Sequence, residues 1–130
     1  MTNPLLDDWK TAFALPPFDL IEDAQFAPAM ETALDEGRAA ISAIAENAEP
    51  PSFANTIEAL ELADARLDRV AGVFYNLAGA DSTPTREALQ REFAPKLSAY
   101  SSEITNNAAL FARIDDLWQR RETLGLNDEQ

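Results

Sequence analysis

Residues 57–77 read IEALELADARLDRVAGVFYNL. Ile57, Leu60, Leu67, Val70, Phe74 and Leu77 recur at steps of three, four or seven, and Ala63 fills the gap between Leu60 and Leu67. This spacing lays one apolar stripe along an α-helix. Its alternating threes and fours form the seam along which antiparallel helices pack. Ser52 or Asn55 supplies the N-cap, and the run ends at Gly79-Ala80-Asp81.

The same pattern extends outward in both directions. Upstream, Phe26, Met30, Leu34, Ile41 and Ile44 place a helix over about Asp23 to Glu46. Pro28 falls in its first turns, where a missing N–H is tolerated, and Pro50-Pro51 follows its end. Downstream, Ser82-Thr83-Pro84 is a hydroxyl cap followed by proline at the first helical position. It opens a helix to about Ile104 through Leu89, Phe93, Leu97 and Tyr100, with a kink expected near Arg91 because Pro95 cannot donate its backbone bond. Asn106-Asn107 is a turn and cap. A last helix spans about Ala108 to Thr123, with Leu110, Phe111, Ile114, Leu117 and Trp118 as its stripe and Gly125 as its left-handed cap, Leu126 supplying the accompanying apolar contact. The fold class is therefore all-α: an antiparallel bundle of about four helices over residues 23–126.

Residues 1–22 read as an extended arm, since Pro4, Pro16 and Pro17 break any helix. The arm carries Leu5, Leu6, Trp9, Phe13, Leu15, Phe18 and Ile21, too many large apolar groups for a free tail. It docks on its own bundle, or also on a partner domain. At the other end, Asn127-Asp128-Glu129-Gln130 has the cap and acidic first turn of a further helix, so 127–130 reads as a truncated helix start and the chain as a fragment of a larger protein.

Composition narrows the chemistry. The 130 residues carry 23 acidic and 10 basic side chains, a net charge of −13, which repels phosphate backbones and anionic membrane surfaces. Neither nucleic acid nor membrane is an expected partner. No apolar run approaches the roughly 18 residues needed to span a bilayer. Cysteine is absent, which fits a reducing compartment. Histidine is absent too. Without His or Cys there is no usual zinc ligand set, no Ser-His or Cys-His nucleophile pair and no imidazole base.

Only carboxylates remain as candidates. Asp7-Asp8, Glu22-Asp23, Asp35-Glu36 and Asp115-Asp116 are adjacent pairs; on a helix, neighbours point about 100° apart and do not converge. Glu58 and Glu61 share a face, but a di-iron bundle also needs Glu-x-x-His, which is missing. Phe74 reads as core, while Tyr75 and Asn76 either line a pocket or satisfy nearby backbone groups. Arg120-Arg121 suits the negative end of its helix. No catalytic, cofactor-binding or metal-ligating residue is assigned within the chain.

Several stretches, taken in order, carry a resemblance: Asn3-Pro4-Leu5-Leu6, then LPPFDLI at 15–21, FANTIEALE at 53–61, VFYNL at 73–77 and LFARIDDLWQRRETLGL at 110–126. Together they resemble the N-terminal region of the thimet-oligopeptidase-like zinc metallopeptidases, in particular the peptidyl-dipeptidase branch, with the oligopeptidase A branch a near relative. The resemblance implies a large helical cytoplasmic enzyme whose two lobes enclose a channel for short peptides. One zinc is held there by a His-Glu-x-x-His helix and a further Glu, and C-terminal dipeptides are released. None of those residues maps onto this chain. What the resemblance leaves for these 130 residues is part of the channel wall, with the remainder of the parent chain, bearing zinc, as partner. The competing expectation is a stand-alone helical interaction module.

Overall fold

A computed structural model describes residues 2–130, and every described element is helical. Helix α1 (Phe26–Ala45) is preceded by a 3-10 turn at Asp23–Gln25. A π-helical turn at Phe53–Glu58 leads into α2 (Ala59–Ala63), and α3 (Ala65–Ala80) follows after a break at Asp64. Then come α4 (Pro84–Thr105), α5 (Ala108–Arg120) and a closing 3-10 turn at Arg121–Thr123.

The caps explain the boundaries. Ser52 Oγ accepts the Asn55 N–H at 3.0 Å and Asn55 Oδ1 accepts the Ser52 N–H at 2.8 Å, so both expected cap residues act together in one reciprocal box. Thr83 Oγ1 accepts the Arg86 N–H, and Asn107 Oδ1 accepts the Leu110 N–H. Gly125 takes the left-handed conformation at φ 65°, as its place after α5 requires. Helix α4 runs through Pro95 without interruption. The carbonyl of Arg91, which proline leaves without its helical donor, belongs to an exposed residue.

Helix α1 is the central element. Its residues Phe26, Ala29, Met30, Ala33 and Leu34 pack with Leu67, Val70, Val73, Phe74 and Ala78 of α3 and with Phe93 and Tyr100 of α4. Phe74 meets Phe26 and Phe93 edge-on, with ring centres 5.1 and 4.9 Å apart, a geometry that adds about 0.5–1.5 kcal/mol per pair beyond area burial. Cross-links fix the directions. Arg86 pairs with Asp23, Lys96 with Glu31 and Arg38 with Glu103, so α4 runs parallel to α1, while the Arg66–Glu36 pair and the Phe26–Phe74 contact set α3 antiparallel to it.

Leu110 packs with Ile41 and Ile44 at the end of α1, and α5 then proceeds outward along the 47–58 connection, forming a second, smaller core with Ala59, Leu60 and Ala63. The fold is thus the expected all-α helical bundle, with α5 packed on the C-terminal end of α1 and on the 47–63 segment.

The long helix expected from Ser52 to Ala80 is divided at Asp64, which holds φ −95° and ψ 0°. Its carboxylate accepts the hydroxyl proton of Tyr100 from α4. That bond fastens α4 to the break between α2 and α3.

The N-terminal arm docks by its first half. Leu5 is fully buried, and Leu6, Trp9 and Ile21 pack against the main core. Arg69 of α3 donates to the carbonyls of Leu5 and Asp7, and its guanidinium stacks 4.7 Å from the Trp9 ring centre. The second half stays outside: Phe13 is 95% exposed, and Leu15, Phe18 and Leu20 are exposed as well.

Candidate functional site

The carboxylate pairs form no site. Asp7 and Asp8 lie in solvent. Asp23 is taken by Arg86, Asp35 by Arg38, Glu36 by Arg66 and Asp116 by Arg120. Glu22, Glu58, Glu61 and Asp115 face outward. Among the described residues, no group of three or more His, Cys, Asp or Glu is placed to hold a metal ion. Phe74 is core, as its spacing requires. Tyr75 lies edge-on to Phe74 at the surface, and Asn76 is exposed.

The feature that local sequence pattern did not indicate is Arg113. It sits between Leu110 and Leu117 on the buried face of α5 and is only 8% exposed. Its guanidinium donates to the carbonyls of Asn47 at 2.8 Å and Glu49 at 3.1 Å, and to Asn55 Oδ1 at 3.0 Å. Asn55 in turn accepts from Ser52 N–H and Thr56 Oγ1 and donates to the Pro50 carbonyl. Two turns on, Arg120 donates to the Pro51 carbonyl. Two arginines of α5 therefore satisfy the orphan carbonyls of the 47–51 connection, a task that no helix or strand performs for them.

This clamp holds α5 against the π-turn, and beyond the clamp the two diverge. A cavity of about 310 Å³ opens there, lined by Phe53 and Ile57 on one side and by Ile114, Leu117 and Trp118 on the other. Leu124, Leu126 and Gln130 close its far end. The walls are almost wholly apolar. Arg121 is the one charged residue lining the cavity; it stacks 4.2 Å from the Trp118 ring centre and donates to the Trp118 carbonyl. The stripe expected for α5 is thus only partly core. Leu110 and Leu117 are buried, whereas Phe111 and Trp118 are 64% and 61% exposed. With Arg113 turned inward, the buried face is rotated toward it, and the two aromatics fall outside. The groove offers a surface mainly for apolar contact, with the Arg121 guanidinium as its one charged group.

No family model matches the chain. Curated proteins do. The chain is 41% identical over 128 residues to the dipeptidyl carboxypeptidase of Salmonella typhimurium and 39% identical over 127 residues to that of Escherichia coli, in each case across 98% of this chain and 19% of the relative. It is 32% identical to the oligopeptidase A of Salmonella typhimurium over 130 residues, all of this chain and 18% of that protein. The chain spans about a fifth of the length of the curated relatives it matches, their N-terminal fifth. The resemblance carried by the quoted stretches therefore holds along the whole chain and reaches both branches.

Proposed function

We propose that this chain, similar throughout to the N-terminal fifth of dipeptidyl carboxypeptidases, is the N-terminal helical part of a larger zinc peptidase. The parent enzyme cleaves short peptides and releases C-terminal dipeptides in the cytoplasm. The observation that carries this reading is 41% identity sustained over 98% of the chain. Likeness of that extent, over a segment without His or Cys, accords with a shared architecture more than a shared local motif.

The residues present do not fit the zinc. There is no His or Cys to bind it, and the described carboxylates do not converge. The metal and its general base would therefore be held by the remainder of the parent chain, and no catalytic step is assigned to these residues. Their role is steric. A helical bundle fixed by its own core, with the arm pinned by Arg69 and the connection pinned by Arg113, is rigid enough to wall a channel and exclude folded proteins from it. A stand-alone interaction module is a weaker reading, because relatives of this similarity are about five times longer.

The test uses the complete product of the reading frame that contains these residues. It releases C-terminal dipeptides from short peptides, loses that activity to a chelator and regains it with zinc, while the 130-residue chain alone is inactive with or without zinc. A frame that closes directly after Gln130, or zinc-dependent cleavage by the 130 residues alone, would overturn the proposal.

A further inference from the structure

Residues 127–130 form a reciprocal capping box. Asn127 Oδ1 accepts the backbone N–H of Glu129 at 3.0 Å and of Gln130 at 3.1 Å. Gln130 Oε1 accepts the Asn127 N–H at 3.2 Å. These bonds satisfy the N–H groups that the first turn of a helix leaves without partners. Asp128 and Glu129 then lie where the positive end of such a helix favours acidic groups. The box is built at the rim of the α5 groove, since Gln130 itself lines the cavity with Leu124, Leu126 and Trp118.

We propose that Asn127 is the N-cap of a further helix of the longer protein, and that this helix lays an apolar face over the groove formed by Phe53, Ile57, Trp118, Leu124 and Leu126. The inference rests on the reading of the chain as the N-terminal part of a longer enzyme, of which relatives leave some four-fifths beyond the matched segment. The occupant follows from position and chemistry. The next turn begins beside the cavity, so covering it requires no long loop and little closure entropy. The walls are apolar and present no unpaired sheet edge, so they fit an amphipathic helix with apolar residues at spacings of three and four. Covering the groove removes Trp118 and Leu126 from water and ties α5 to whatever follows.

The test places the photo-crosslinker benzoyl-phenylalanine at Trp118 in the complete product of the reading frame, with Leu124 as a second position. Trp118 is exposed, so the substitution leaves the core intact. Mass spectrometry of irradiated protein should find both positions joined to the roughly 20 residues after Gln130, about 30 Å of helix. The same group at Leu62, exposed on α2, should not reach that segment. Cross-links to a distant segment or to a second copy, or none at either position, overturn the proposal and leave the peptidase reading standing. A frame that closes after Gln130 removes both.

Discussion

The hydroxyl of Tyr100 on α4 packs directly over the backbone of Gly37 on α1. A Cβ at Gly37 would lie 2.9 Å from Tyr100 Cζ and 3.3 Å from Cε2, and nearer still to the hydroxyl oxygen. The same hydroxyl donates to Asp64, so the ring cannot retreat without releasing the break between α2 and α3. Glycine is thus required in the middle of α1 by its neighbour. Gly37→Ala gains up to about 1 kcal/mol in helix propensity but overpacks a buried contact, which typically costs about 1–3 kcal/mol. A net loss of about 1 kcal/mol in urea-unfolding stability is expected. The loss should shrink in a Tyr100→Phe background, where the clashing oxygen is gone and the two changes are coupled.

The pH dependence follows from the same contact. Burial, and then the hydrogen bond to the Asp64 carboxylate, push the Tyr100 phenol well above its ordinary value of 10.0. A group whose folded pKa is raised stabilises the fold fully below its unfolded pKa. Above about pH 10 the unfolded chain ionises first, and the stabilisation declines as pH rises toward the folded value. Stability should therefore fall above pH 10 more steeply than in Tyr100→Phe, with the two curves parallel below that point. Ultraviolet difference titration of wild type against Tyr100→Phe should find the Tyr100 phenol still protonated at pH 10 in the folded protein. A Tyr100 phenol that ionises at its ordinary value would contradict the buried contact.

The parts that repeat were legible in the sequence. Phe26, Met30, Leu34, Leu67, Val70 and Phe74 are buried because helical periodicity alone places them on one face. Ser52, Thr83, Asn107 and Gly125 mark ends because their side chains or backbone freedom act within a turn. The break at Asp64 has no such local signal; neither glycine nor proline is near, and its partner Tyr100 is 36 residues away. Arg113 was hidden because a charge beside an apolar stripe reads as solvent-facing until the carbonyls of Asn47 and Glu49 are seen to need a donor. The groove draws its walls from two separate segments, 53–57 and 114–130, so no short window of sequence contains it.

Arg113 should be the most sensitive charged residue in the chain. Arg113→Ala leaves the Asn47 and Glu49 carbonyls without their donor, removes one of three donors to Asn55 Oδ1 and opens space between α5 and the connection. Hydrogen bonds from a charged group contribute about 1.5–3 kcal/mol, and a loss of about 2–3 kcal/mol is expected. Arg113→Lys should recover little of it, because one ammonium cannot span three acceptors held by a planar fork. Urea unfolding of the two variants, with Arg121→Ala as an exposed control, measures the difference. Equal stability of Arg113→Ala and wild type would show that water serves the connection as well as the guanidinium does.

The arm gives the sharpest contrast, because its two halves make opposite predictions. Leu5 is fully buried in the main core, and Leu5→Ala should cost about 2–4 kcal/mol as a cavity-forming change. Phe13 holds φ 60°, and the next residue, Ala14, holds φ 52°, conformations that cost a non-glycine residue about 1–2 kcal/mol. Its ring gains nothing in return within the described residues, being almost wholly in solvent. Phe13→Asn, which tolerates that backbone and removes exposed apolar surface, should be neutral or stabilising by up to about 1 kcal/mol. Thermal melting of both variants decides the matter. If Leu5→Ala melts like wild type, the arm is a loosely held tail. If Phe13→Asn is clearly destabilised, the ring packs on the bundle in solution and the outer half of the arm docks as the inner half does.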